Sequence, residues 1–186
     1  MSSDVQVKGL AALQAALDQL PAKVEANIMR GAMRAGAKVI QAEAKRLVPV
    51  SPPNAENVRL YGGYEGLLRD SIRVRIKLRR GTVTASVRAG GGKVKGTGDA
   101  YYARWVEYGT KAHSITAATA GALAIKGGRP VHTVAHPGAQ PKPYLRPALD
   151  GKARDAVEAV AAYIRQRLAL KHGLDVPAPA QVEDDA

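Results

Sequence analysis

Two rhythms of apolar residues run along this chain. Leu10, Leu13, Leu17 and Leu20 recur at spacings of three and four, the mark of one helix face, and Pro21 breaks that helix or starts the next. From Ala22 to about Leu47 an Ala-rich segment predicts a long helix. Its stripe is Val24, Ile28, Ala32, Ala35, Val39 and Ala42, with Arg46 at the end, and its Gly31 and Gly36 point to tight packing against another backbone. The rhythm then changes to two. In "SIRVRIKLR" Ile72, Val74, Ile76 and Leu78 alternate with Arg73, Arg75, Lys77 and Arg79, which predicts a strand with one apolar and one cationic face. Gly81 turns the chain, and Val83, Ala85 and Val87 alternate again, so the pair reads as a hairpin.

The remaining segments are punctuated by Gly and Pro. Residues 49–66 read as an exposed loop and "GGGKVKGTGD", residues 90–99, as a flexible basic one. Asp99 as N-cap and Gly109 as terminator bracket a short amphipathic helix, with a strand as the alternative. In the long connection 110–143, "ALAI" and "VHTVAH" predict two short strands around Gly127-Gly128. A final helix follows from Pro147 to about Lys171, with Leu149, Ala153, Val157, Val160, Ile164 and Leu168 as its stripe. The expected fold is α+β: a long N-terminal helix and a C-terminal helix packed on a small, mainly antiparallel sheet. One domain over residues 1–175 is expected, followed by a Pro/Ala-rich acidic tail, 176–186, disordered in isolation.

Composition sharpens this picture at three points. The chain has seven Tyr, one Trp and no Phe, so its core is lean and self-association is a plausible source of stability. A net charge of +12 points to a polyanionic partner or to a soluble, self-repelling surface. The absence of Cys excludes a disulfide framework and thiolate metal sites. No secretory signal and no membrane span is legible, and the expected compartment is cytoplasmic.

Few residues carry the marks of chemistry. Gly92-Lys93 is followed by Val94, where a phosphate loop needs Ser or Thr. His132 and His136, four apart in a strand, stand roughly 13 Å apart, too far to share a metal ion. With His113 they read as loop histidines making hydrogen bonds. Asp99 and Glu107 are the only acids between Thr82 and Leu149, and on a helix they lie about 12 Å apart along the axis. A general acid at Glu107 beside Trp105, working with His136, is the enzymatic reading. A packing anchor is the structural one.

Four stretches in order carry a family resemblance: "AKRLVPV" (44–50), "GLLRDSIRV" (66–74), "YYARWVEYGT" (101–110) and "HPGAQPKPYLRPAL" (136–149). The chain resembles the neck or tail-completion proteins of long-tailed bacteriophages, over roughly residues 5–170. It departs from them in the inserted "SPPNAENVRLYGGYE", in Tyr144 where Phe is usual, and in the acidic tail. The resemblance implies a structural virion protein without enzymatic activity, cofactor or membrane. Copies would form a ring, sixfold by that resemblance, joining the head connector to the tail tube. Its partners would be head-closure or connector, tail-terminator and tail-tube subunits, and it would assemble in the host bacterial cytoplasm. In such proteins Tyr101, Trp105, Glu107, Tyr108, Gly109 and Thr110 would form a structural anchor that packs the short helix on the sheet. Charge and spacing make Arg69 and Arg146 the expected ion-pair partners of Glu107. Arg73, Arg75, Lys77, Arg79, Lys93 and Lys95 are the expected cations facing genomic DNA in the channel or an acidic partner. A tail terminator and a basic nucleic-acid-binding protein are the alternatives.

Overall fold

The computed structural model describes residues 10–50, 64–92, 94, 98–118, 121–123, 128–174 and 176. Lys93, Lys95, most of the inserted loop, Gly127 and the tail from residue 177 lie outside the described residues. The fold is α+β. Its elements are α1 (Leu10–Asp18), α2 (Ala22–Leu47), α3 (Leu67–Ser71), β1 (Arg73–Arg79), β2 (Thr82–Arg88), α4 (Ala103–Tyr108), β3 (His113–Thr116), β4 (Thr133–His136) and α5 (Leu145–His172).

The two long helices form the spine. Gly31 of α2 faces the Tyr163 ring of α5, and a Cβ at Gly36 would stand 2.6 Å from the Ala156 carbonyl oxygen and 2.7 Å from Val160 Cγ2. Position 31 meets 163, 36 meets 156 and 160, and Ala44 shares a cluster with Ala148, so the helices run antiparallel. Small residues let the backbones approach closely, which is what Gly31 and Gly36 predicted. The buried stripe of α2 is Ile28, Ala32, Gly36, Ala37 and Ala44, rotated from the expected one, because the glycines rather than Val39 and Ala42 face α5. The same rotation on α5 buries Ala148, Ala156, Ala161, Ile164 and Leu168 and leaves Leu149 exposed. Helix α2 ends where Val48, preceding Pro49, turns extended at φ −62°, ψ 132°, the conformation that a following proline favours. Helix α5 ends on left-handed Gly173, and the Leu174 N–H returns to the Leu168 carbonyl at 3.2 Å.

Two apolar clusters lie along the spine. Leu13, Ala16 and Leu17 of α1 cover Ile28, Ala32, Ala161, Ile164 and Leu168 at one end. At the other, Ala44 and Val48 meet Leu67, Leu68, Ile72, Ala103, Tyr144 and Ala148. All four of the quoted stretches feed this second cluster. Tyr144, the largest fully buried side chain, sits in it.

The strands form two separate antiparallel hairpins rather than one sheet. In the first, Arg73 pairs with Arg88 and Arg79 with Thr82 across a two-residue turn, Arg80-Gly81, both at positive φ. Such turns match the natural twist of a hairpin. The strand starts at Arg73, not at Ser71. Ser71 closes α3, where its buried hydroxyl donates to the Leu68 carbonyl at 2.6 Å and accepts the Gly90 N–H at 3.0 Å. In the second hairpin "VHTVAH" supplies β4, but its partner is β3, upstream of "ALAI". Within "ALAI", Leu123 makes an isolated bridge to Val131, and Ala124 and Ile125 lie outside the described residues.

Candidate functional site

Helix α4 and the start of α5 are joined by one carboxylate. Glu107 is 5% exposed. Its Oε2 accepts the backbone N–H groups of Tyr144 at 2.8 Å and Leu145 at 3.0 Å, and its Oε1 accepts that of Arg146 at 3.1 Å. The first four N–H positions of a helix have no partner inside it. For α5 these belong to Tyr144, Leu145, Arg146 and Pro147, and proline has no N–H. Glu107 therefore satisfies every free donor at this helix start. It also sets a negative charge against the positive end of the dipole of a 28-residue helix.

This differs from the expected ion pair. Arg146 contributes its backbone N–H rather than its guanidinium, and Arg69 lies beside Asp70 at 3.6 Å. Backbone donors win because the slot is buried and already polarised, and a guanidinium there would itself need desolvation. With both oxygens occupied by main-chain donors, Glu107 is not placed to move protons.

The chain around it is knitted in the same way. Val106 O accepts the Lys142 N–H at 2.8 Å. Thr110 and Ala139 exchange backbone bonds at 2.9 and 3.2 Å, and Thr110 Oγ1 also accepts the Ala139 N–H at 2.9 Å. Gly109 sits at φ +69°, and a Cβ there would stand 2.5 Å from the Ala139 carbonyl oxygen. Gly138 likewise packs on the Thr110 carbonyl. Only glycine fits these two close approaches. "WVEYGT" and "HPGAQPKPYLRP" thus form one latch from two distant pieces of chain. Asp99 does not cap α4; its Oδ1 is buried without a hydrogen-bond partner among the described residues.

The aromatic residues are placed opposite to expectation. The inner side of α4 is Ala103 and Glu107, flanked by Tyr102 and Val106, which pack on the second cluster. Tyr101, Trp105 and Tyr108 are exposed at 59%, 52% and 67%. The Tyr101 ring meets Tyr102 and Trp105 edge to face, with ring centres 5.7 Å apart in both pairs. An open groove of about 570 Å³, lined by Tyr108–Lys111 and Pro137–Pro141, adjoins the aromatic row. Of the six expected anchor residues, Glu107, Gly109 and Thr110 join the two segments, and the three aromatics face outward.

The cationic strand face is divided as well. Arg73 is turned onto the carbonyls of Gly90, at 2.9 Å, and Gly91. Arg75, Lys77 and Arg79 are exposed. Among the histidines, His113 and His136 are cross-strand partners with ring centres 5.0 Å apart. His136 Nδ1 accepts the Gly138 N–H at 3.0 Å. No group of three His, Asp or Glu side chains able to hold a metal ion occurs among the described residues. No described helix is long and apolar enough to cross a membrane.

A family model described as "Bacteriophage HK97-gp10, putative tail-component" matches residues 11–109. That range runs from α1 through Gly109 and takes in the aromatic row, Glu107 and the cationic hairpin, while the α5 side of the latch lies beyond it. No curated protein and no solved structure matches the chain.

Proposed function

Because the chain belongs to the HK97-gp10-like family of bacteriophage tail components, we propose that it forms a homo-oligomeric ring, of six copies, that joins the head connector to the tail tube. The family makes it a structural virion protein; the ring and its place at the neck are the proposal. The observation that carries it is the outward row of Tyr101, Trp105 and Tyr108 beside an open groove. Tyr and Trp are enriched at the centres of protein interfaces and bury large areas at little entropic cost. Trp105 and Tyr108 stand on α4, which Glu107 fixes to α5, and Tyr101 lies in the turn just before it, so the row is presented rigidly, and preorganisation favours association. A row on one side of α4 meeting a different surface on the next copy gives a heterologous contact, the type that closes into a ring.

Deleting the gene and imaging the particles tests the role: filled heads and free tails are expected, and normal infectious particles would refute it. Trp105→Ala tests the surface. Rings are expected to be lost or weakened while the isolated chain keeps its melting temperature. Unchanged assembly would remove the aromatic row from the interface.

A further inference from the structure

We propose that the β1–β2 hairpin binds the phosphate backbone of duplex DNA, without regard to sequence. Residues 73–88 contain five Arg and one Lys and no acid. Register places Arg75 opposite Ser86, Lys77 opposite Thr84 and Arg79 opposite Thr82. Directly opposed residues of an antiparallel pair share a face, so each of these cations has a hydroxyl beside it. Cations interleaved with hydroxyls are the side-chain types that contact phosphate oxygens.

Three further facts favour a regular polyanion over an acidic protein surface. Residues two apart in a strand stand about 7 Å apart, so Arg75, Lys77 and Arg79 form an even row about 14 Å long. That length is the rise of about four phosphates along one DNA strand. The hairpin also projects: Val74 and Ile76 are half-buried, whereas Lys77, Leu78 and Arg79 are all exposed. A projecting two-stranded ribbon can lie along a DNA groove. Finally, Arg75, Lys77, Arg79, Arg80 and Arg88 have no side-chain hydrogen bond or ion pair among the described residues. Arg73, held by the Gly90 and Gly91 carbonyls, is not counted.

The inference stands apart from the neck reading, since the purified full-length chain tests it whatever its place in the virion. Fluorescence polarisation would measure binding to a mixed-sequence duplex longer than two helical turns, across a salt series. Each phosphate contact contributes about 0.9 to the slope of log affinity against log salt. The triple variant Arg75→Thr, Lys77→Thr, Arg79→Thr should bind more weakly, with a slope shallower by about 2.7. The affinity lost between about 50 and about 200 mM salt should then be about 40-fold smaller than for the parent. A control with equal charge loss elsewhere, Arg34→Thr, Lys38→Thr, Arg167→Thr, should keep the parent slope. Replacing Arg75 and Arg79 by Lys should restore binding. Equal losses in the two triple variants would overturn the proposal, because net charge alone would then explain binding. So would polyglutamate competing as well as DNA at matched charge, which would make the partner an acidic protein.

Discussion

Glu107→Ala is the most informative single change, because the sequence and the structure give different accounts of what that carboxylate holds. In the structure its removal leaves three backbone N–H groups without their acceptor. An unsatisfied buried donor costs about 1–3 kcal/mol. Tyr144 is fully buried, so its N–H bears the upper part of that range. Leu145 is half-buried and Arg146 exposed, so water partly replaces the acceptor there, at about 1 kcal/mol each. The sum is about 4 kcal/mol and already contains the loss of favourable charge at the helix start, worth up to about 2 kcal/mol in a partly buried setting. For a chain of this size that is a fall in melting temperature of about 10 °C. Glu107→Gln keeps one carbonyl oxygen for Tyr144 and Leu145 but turns an amide NH2 toward the Arg146 N–H. About half the cost, roughly 2 kcal/mol, is expected.

The alternative account puts the stabilisation in a guanidinium. Arg146→Ala then separates the two, because alanine retains the backbone N–H that Glu107 accepts. It should cost less than about 0.5 kcal/mol, as for an exposed side chain away from any special feature. A double-mutant cycle of Glu107→Ala with Arg146→Ala should show little coupling. The assays are urea unfolding of each variant and amide hydrogen exchange at Tyr144, Leu145 and Arg146, which should quicken on loss of the carboxylate. A Glu107→Ala variant within 1 kcal/mol of the parent would refute the latch. An Arg146→Ala cost matching that of Glu107→Ala would restore the ion pair.

The spine and the core tyrosine give two more tests. Gly36→Ala should destabilise by about 1–3 kcal/mol, although alanine is the better helix former by about 1 kcal/mol, because the new Cβ meets the backbone oxygen of Ala156. Gly31→Ala should cost less, since its obstacle is the end of the Tyr163 side chain, which can swing aside. Burial, with smaller contributions from the charge of Glu107 and from Tyr102, pushes the Tyr144 phenol well above the ordinary tyrosine range. Its neutral form therefore stabilises the fold fully below the unfolded value of about 10, and that contribution is lost as pH rises beyond it. Melting temperature should fall above about pH 10 more steeply in the parent than in Tyr144→Phe. The two should agree at neutral pH, because the Tyr144 hydroxyl makes only a long 3.4 Å bond to the Ala103 carbonyl.

The elements that the sequence made legible are those whose physics is local. The 26-residue helix from Ala22 to Leu47 and the hairpin's alternation came directly from periodicity and from breakers such as Pro49 and Gly81. The rotation of the buried stripes did not. It depends on which glycines meet the partner helix, and hydrophobicity ranks Val39 above Gly36 when the contact that matters is backbone to backbone. The pairing of β4 with β3 was illegible for a related reason. Two four-residue strands separated by a long connection carry no register signal beyond their own length.

Helix α4 shows how a correct pattern yields the wrong orientation. At about 100° per residue, Tyr101, Trp105 and Tyr108 fall on one side, and Ala103 and Glu107 on nearly the opposite one. Local hydrophobicity points the aromatics inward. Two conditions reverse that choice, and neither lies within the ten residues. The cluster beneath α4 is already filled by Tyr144, Leu67, Leu68 and Ile72, leaving room for Ala103 and the flank of Val106. The three backbone donors that need an acceptor come from residues 144–146, some 37 positions downstream. A buried carboxylate with three main-chain partners then outweighs the burial of aromatic rings. Rings left outside in this way are a standing cost to an isolated subunit, because each keeps a large apolar area in water. In the proposed ring a neighbouring copy that covers them would recover that area, and the same latch that stabilises the fold would also favour assembly.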